Sequence, residues 1–312
     1  MRALLELVRA PAAVSVPGDT MAGAAAAGRP AAPGAAVAST LLYWAGMALN
    51  DWSDRKIDAV ERPERPIPSG RVRPGTALGL AAALTGAGLT AAAVSGGRRG
   101  LALAGLLAGC VWAYDLGLKH TAAGPASMAA CRTLDVLLGA GDRVRAAVPT
   151  ALAIGAHTYG ISVLGRAEVK GATPGTATAA LAAAGGAAAL TALGALRPAA
   201  ASGPPVRGVR ARTAALLRPP AKGATAAGPW PPGRTVAALL LAGYVAASAR
   251  AQAGLRADPS PERVRLAVRT AILGLIPLQA ATVAGRGRLT QAGALLALLP
   301  AGRVLSERMA TS

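Results

Sequence analysis

Residues 39–58 read Ser-Thr-Leu-Leu-Tyr-Trp-Ala-Gly-Met-Ala-Leu-Asn50-Asp51-Trp-Ser-Asp54-Arg-Lys-Ile-Asp58, an apolar run that ends in acid. On a helix, positions 51, 54 and 58 stand at i, i+3 and i+7, so three carboxylates lie along one face. Like charges on one stripe repel and weaken a bare helix, so the pattern calls for a cation. Hard oxygen ligands of this kind suit Mg²⁺, which keeps several waters and bridges one or two carboxylates to substrate phosphates. The stripe runs at once into Arg65-Pro66-Ile67-Pro68-Ser69-Gly70, a stiff turn rather than a solvated helix end.

Working outward, the chain of 312 residues is 53% hydrophobic and only 15% charged, with a mean hydropathy of +0.43. Apolar windows recur from end to end, long enough to cross a bilayer core of about 30 Å. They are rich in Ala, Gly and Leu, and Phe is absent. Small residues let helix backbones approach closely, as membrane helices do when lipid offers no hydrophobic contrast. An all-α polytopic membrane protein follows, a single domain over 1–312. Candidate spans lie at about 11–29, 33–50, 77–95, 99–115, 124–141, 147–165, 175–196, 235–253, 264–283 and 288–305. About nine of these would form transmembrane helices around a central cavity. Segment 197–234 carries eight prolines among its basic residues and reads as a surface loop.

The net charge of +19 is carried mainly by arginines in the short loops. Aromatic interleaving for base stacking is missing, so nucleic acid is not an expected partner. Loops after the second, fourth and sixth spans, with Arg2 and Arg9, hold eleven cations against five in the opposite loops. The positive-inside rule then places the N-terminus and the acidic motif on the cytoplasmic side of the cell membrane. Cys110 and Cys131 both fall in apolar spans and offer neither a disulfide framework nor metal spacing.

A second motif, Tyr114-Asp115-Leu116-Gly117-Leu118-Lys119-His120, stands at another span's end on the same side. Lys119 there is either a snorkelling interface residue or a point charge for a phosphate. Within the spans, Arg132 and Asp135 are one turn apart and read as an internal pair, or as a pair that orients a ligand. His157 reads as a packing histidine or as a base for the acceptor.

Taken together, Asn50–Asp58, Arg65–Gly70 and Tyr114–Lys119 resemble the UbiA superfamily of intramembrane prenyltransferases. Motif order, spacing and span count fit over roughly residues 10–305. The resemblance implies Mg²⁺-assisted transfer of a prenyl group from an isoprenyl diphosphate to an aromatic or lipid-like acceptor within membrane lipid. It implies catalytic roles for Asp54, Asp58 and Lys119, and substrate contacts from Asn50, Arg65, Tyr114, Arg166, Glu168 and Lys170. The implied metal ligands are Asp51, Asp54, Asp58 and Glu168. One departure stands out. The family's second Asp-rich motif, at the end of the sixth span, is replaced by Gly165-Arg166-Ala167-Glu168-Val169-Lys170, with Glu168 its one acid. That style is similar to a bacterial UbiA-like branch that includes EboC-type proteins. Arg166 and Lys170 are expected to replace part of the second metal by meeting diphosphate directly. Activity should then need less Mg²⁺, and Arg166→Ala should raise the requirement. An alternative is a non-catalytic or transport-associated binder of prenyl lipids on the same scaffold. CDP-alcohol phosphatidyltransferases also place aspartates at membrane helix ends, but need an Asp-Gly-x-x-Ala-Arg string that this chain lacks.

Overall fold

Prolines mark where the helices begin. In the computed structural model, which describes residues 2–9, 16–196 and 230–300, Pro occupies the first turn of six of them. Its fixed φ suits that position, and the N–H it lacks would have had no partner there. The helices are α1 (Arg2–Leu7), α2 (Val16–Ala26), α3 (Pro33–Glu61), α4 (Pro74–Leu116), α5 (Gly124–Ala140), α6 (Val144–Gly165) and α7 (Pro174–Ala195). They continue with α8 (Pro232–Ala257), α9 (Pro261–Gly285) and α10 (Leu289–Leu296), and a 3₁₀ turn spans Leu118–His120. No strand occurs among the described residues.

Five of these helices are long and apolar enough to cross a membrane: α4, α6, α7, α8 and α9. α4 makes two arms, because Gly97 has φ 60° and ψ −150° and turns the chain back on itself. A side chain at such a φ is strained, so glycine is required. The sequence's separate spans at 77–95 and 99–115 are those arms.

Two expectations shift. Of the first span, read over 11–29, the structure describes α2, eleven residues or about 16 Å, roughly half a bilayer; residues 11–15 lie outside the described residues. The loop read over 197–234 gives way to helix from Pro232, while 197–229 lies outside the described residues, as does the end of the last span beyond 300.

Small residues set the packing. A Cβ on Gly23 of α2 would overlap the Val136 carbonyl of α5, and one on Gly139 would overlap the backbone of Thr20. The two backbones therefore touch, which only small residues permit. α2 also packs on α9, α3 and α6, so it joins the α3–α4–α5 group to the α6–α9 group. Contacts between helix ends fix one common face. Asn50 of α3 meets Asp115 of α4, Arg166 after α6 reaches the carbonyl of Lys119, and Ala172 bonds to Pro259 before α9. At the other end, Arg29 pairs with Asp142.

Candidate active site

The stripe predicted on α3 forms, and its cations come from the protein itself. Asp51 and Asp58 are buried, with 4% and 3% of their surface exposed. Arg65 reaches back from the turn, its Nη1 2.7 Å from Asp58 Oδ2 and 3.5 Å from Asp51 Oδ1. Arg9, beyond α1, places Nη2 3.0 Å from the same Asp51 oxygen. Lys119 Nζ stands 2.7 Å from Asp54 Oδ1 and donates to Ser53 Oγ at 2.7 Å. Its side chain is 8% exposed, so the snorkelling reading does not hold. His120 adds a longer approach to Asp54, 3.7 Å. The two motifs close a second time where Asn50 Nδ2 donates to Asp115 Oδ1 at 3.0 Å.

The turn carrying Arg65 is held locally. Ser69 Oγ donates to the Arg65 carbonyl at 2.7 Å, and the Val72 N–H bonds to the Pro66 carbonyl at 2.8 Å. Gly70 has φ 74°, which its lack of a Cβ allows. Ile67 and Val72 sink into an apolar cluster with Leu49 and Ala77. Arg65 is thereby aimed at the stripe by the pattern of the turn.

Below these ion pairs lies a cavity of about 380 Å³. Asn50, Asp115, Tyr114 and Arg9 stand at its mouth, Leu42, Leu107, Val111 and Met128 on its walls, and Ser39, Arg132 and Asp135 deepest. Tyr43 lines it too, whereas Trp44 joins the neighbouring apolar cluster. Two smaller or shallower spaces lie elsewhere, one beside His157 and one between α8 and α9.

The loop after α6 approaches the same face. Arg166 Nη2 donates to the carbonyls of Lys119 (3.2 Å) and Thr121, which ties this loop to the second motif. Glu168 is half-buried. Burial pushes its carboxyl up, opposed by Arg265, Arg269 and Arg62 nearby. Its carbonyl accepts from Arg265 at 3.5 Å. Lys170 is exposed. Among the described residues no three acids, histidines or cysteines converge closely enough to hold a bare metal ion. The donor set still suits Mg²⁺ in kind: hard carboxylate oxygens at a cavity mouth, where a diphosphate would complete the shell.

Three participants were not singled out from sequence. Asp115 lies inside a quoted motif, Arg9 counts only as a loop cation, and Asp19 is a single acid within the first candidate span. Asp19 accounts for Arg132: the guanidinium Nε is 2.9 Å from Asp19 Oδ2. Asp135 instead accepts from Ser39 Oγ at 2.8 Å. His157 resolves as a packing residue. Its Nε2 faces the Ala271 carbonyl at 2.9 Å and must donate, so Nδ1 accepts from the Tyr244 hydroxyl at 2.8 Å.

A helical membrane scaffold with an acidic, cation-paired site at its helix ends and an apolar cavity beneath defines a class of lipid-handling integral membrane proteins. Residues 16–165, just under half of the chain and the part that carries both motifs, match the model of the UbiA prenyltransferase family. The chain is similar to the digeranylgeranylglyceryl phosphate synthase of Natronomonas pharaonis, 46% identical over 27% of this chain and 32% of that protein. The synthase of Methanopyrus kandleri is 41% identical over 39% of this chain and 45% of its own length. Protoheme IX farnesyltransferase of Roseobacter denitrificans is 48% identical over 22% and 21%. The matched region thus spans under half the length of these curated relatives. In fold the likeness is wider. A UbiA homologue from Aeropyrum pernix K1 superposes with a TM-score of 0.63 at 18% identity, over 86% of this chain and 96% of that one.

Proposed function

We propose that this protein is a membrane prenyltransferase that moves an isoprenyl group from its diphosphate to an apolar acceptor. The observation that carries this reading is the closure of two distant motifs, Asp54 on Lys119 at 2.7 Å, over an apolar cavity. The relatives named as prenyltransferases support the same reading. Diphosphate would lie among Arg65, Lys119, Asn50 and Tyr114, with Arg166 and Lys170 approaching from the loop after α6. Mg²⁺, held by the diphosphate with Asp54, Asp58 and Asp51, would draw charge from the leaving group; Glu168 is the further ligand candidate.

The chain's own residues do the rest. Arg65, Arg9 and Lys119 stabilise the negative charge that grows as the allylic C–O bond breaks and diphosphate leaves with the electron pair. The prenyl carbon then bonds to the acceptor, which loses a proton. The dry cavity walls keep water from the allylic carbon. Sidedness follows from the loop cations, with the motif face cytoplasmic.

The test is reconstitution in lipid with labelled geranyl, farnesyl and geranylgeranyl diphosphates, Mg²⁺ and a lipid extract as acceptor source, beside Asp54→Asn and Asp58→Asn. Release or transfer that both variants lose supports the reading. Tight binding without release would mean a non-catalytic prenyl-lipid binder instead.

A further inference from the structure

The helices α8 and α9 form a hairpin with a recess of its own, outside the site built on α3 and α4. A groove of about 340 Å³ runs between the two helices. Small residues open it: Ala247, Ala251 and Gly254 on α8, Ala267 and Thr270 on α9. A Cβ on Gly254 would meet nothing within 4 Å. Leu266 lines the groove too and is 53% exposed. Both helices are long and apolar enough to cross a membrane, so the groove opens onto lipid hydrocarbon.

Two arginines line the same groove, Arg250 and Arg263. Arg263 is the third residue of α9 and gives its Nε to Asp258 at 3.3 Å. Arg250 stands seven residues before the end of α8, about 10 Å along the helix. It is exposed and makes no hydrogen bond or ion pair among the described residues. A cation within a span is costly and calls for a partner. Because the hairpin is antiparallel, Arg250 lies only about one turn deeper than Arg263, and two long side chains span that difference.

The chemistry defines the occupant. Two guanidinium groups against one carboxylate leave the groove one positive charge. A guanidinium meets phosphate oxygens with paired hydrogen bonds. Below them Leu255 and Leu266 offer an apolar wall. One phosphodiester carried on acyl chains satisfies both parts. A zwitterionic lipid brings its own cation to the same arginines and gains less.

We propose that the α8–α9 groove binds one anionic phospholipid, its phosphate between Arg250 and Arg263 and an acyl chain along the small-residue furrow. Basic recesses between membrane helices recognise anionic headgroups in this way. Nothing in the site depends on prenyl transfer, so it stands or falls apart from that reading.

The test reconstitutes the full chain in nanodiscs of phosphatidylcholine and phosphatidylglycerol in equal parts. Native mass spectrometry then counts the lipids that stay with the released protein. One phosphatidylglycerol should remain per chain, about tenfold more often than phosphatidylcholine. Arg250→Gln and Gly254→Leu should each cut that preference about fivefold, the first by removing a cation, the second by filling the furrow with every charge in place. Arg256→Gln, in the last turn of α8 and outside the groove, removes the same charge and should leave the preference unchanged. A loss in Arg256→Gln equal to that in Arg250→Gln would reduce the effect to the net charge of the chain and overturn the proposal. So would equal retention of the two lipids, or displacement of phosphatidylglycerol by excess inorganic phosphate, which would assign the groove to a soluble anion. A two-chain mass that Gly254→Leu returns to one would give the groove to a second copy instead.

Discussion

Arg65 neutralises two buried carboxylates with one guanidinium, so its loss is felt twice. Arg65→Ala would leave Asp58 without a cation and Asp51 with Arg9 alone. We expect it to destabilise the protein by about 1–3 kcal/mol, since breaking a buried pair strands the partner. Adding Asp58→Asn should recover most of that loss, and thermal melting in detergent reads both. Lys119→Met should abolish diphosphate release at least a hundredfold with little change in melting, because Asp54 is 20% exposed and water can reach it. His157 gives the contrary case. Tyr244→Phe removes its hydroxyl partner and should cost about 1 kcal/mol of stability while leaving donor turnover intact. A tenfold fall in turnover would restore the histidine to the chemistry. The acid stripe and Lys119 were legible because their spacing is local. Arg9 on Asp51 and Arg132 on Asp19 were not, since contacts between distant residues leave no trace in periodicity. The nearest acid in sequence, Asp135, does feel the Arg132 charge, but the direct ion pair goes to Asp19.

At the level of elements, prolines stand at the starts Pro33, Pro74, Pro174, Pro232 and Pro261, with caps at Thr173 and Ser260, although the sequence reading puts Pro232 in the loop before its helix. The helix ends are less legible, because α3 continues to Glu61 through a polar stretch. Its continuation is stabilised from outside, by the Arg65 turn and Lys119, which local propensity does not reveal. The reversal at Gly97 was legible only as a gap between two apolar windows. Gly97→Ala should cost about 1–3 kcal/mol by forcing a side chain into that backbone conformation. The α2–α5 crossing is stricter. Gly139→Leu should separate the helices and lower the yield of folded protein, whereas Gly79→Leu, with open space beside it, should be tolerated. Expression and melting of the two variants, side by side, decide this.

Across the whole molecule, the site-bearing ends of α3, α4 and α6 share one face with the α8–α9 junction, and the loop cations gather there. A Cys placed at Ser69, exposed on that face, should react with an impermeant maleimide in inside-out vesicles and resist it in right-side-out cells. The reverse pattern would invert the proposed orientation. Chelation by EDTA should stop turnover without unfolding the protein, since its acids already hold internal cations. The closely packed half beyond the cavity's deepest residues has a further consequence. A cavity that reaches midway into a bilayer, eleven residues down α3 from Asn50 to Ser39, roughly halves the insulating thickness beneath it. What remains is the glycine- and alanine-lined contact of α2 with α5, where backbones touch and water has no room. That seam is where the protein's barrier to ions and water lies.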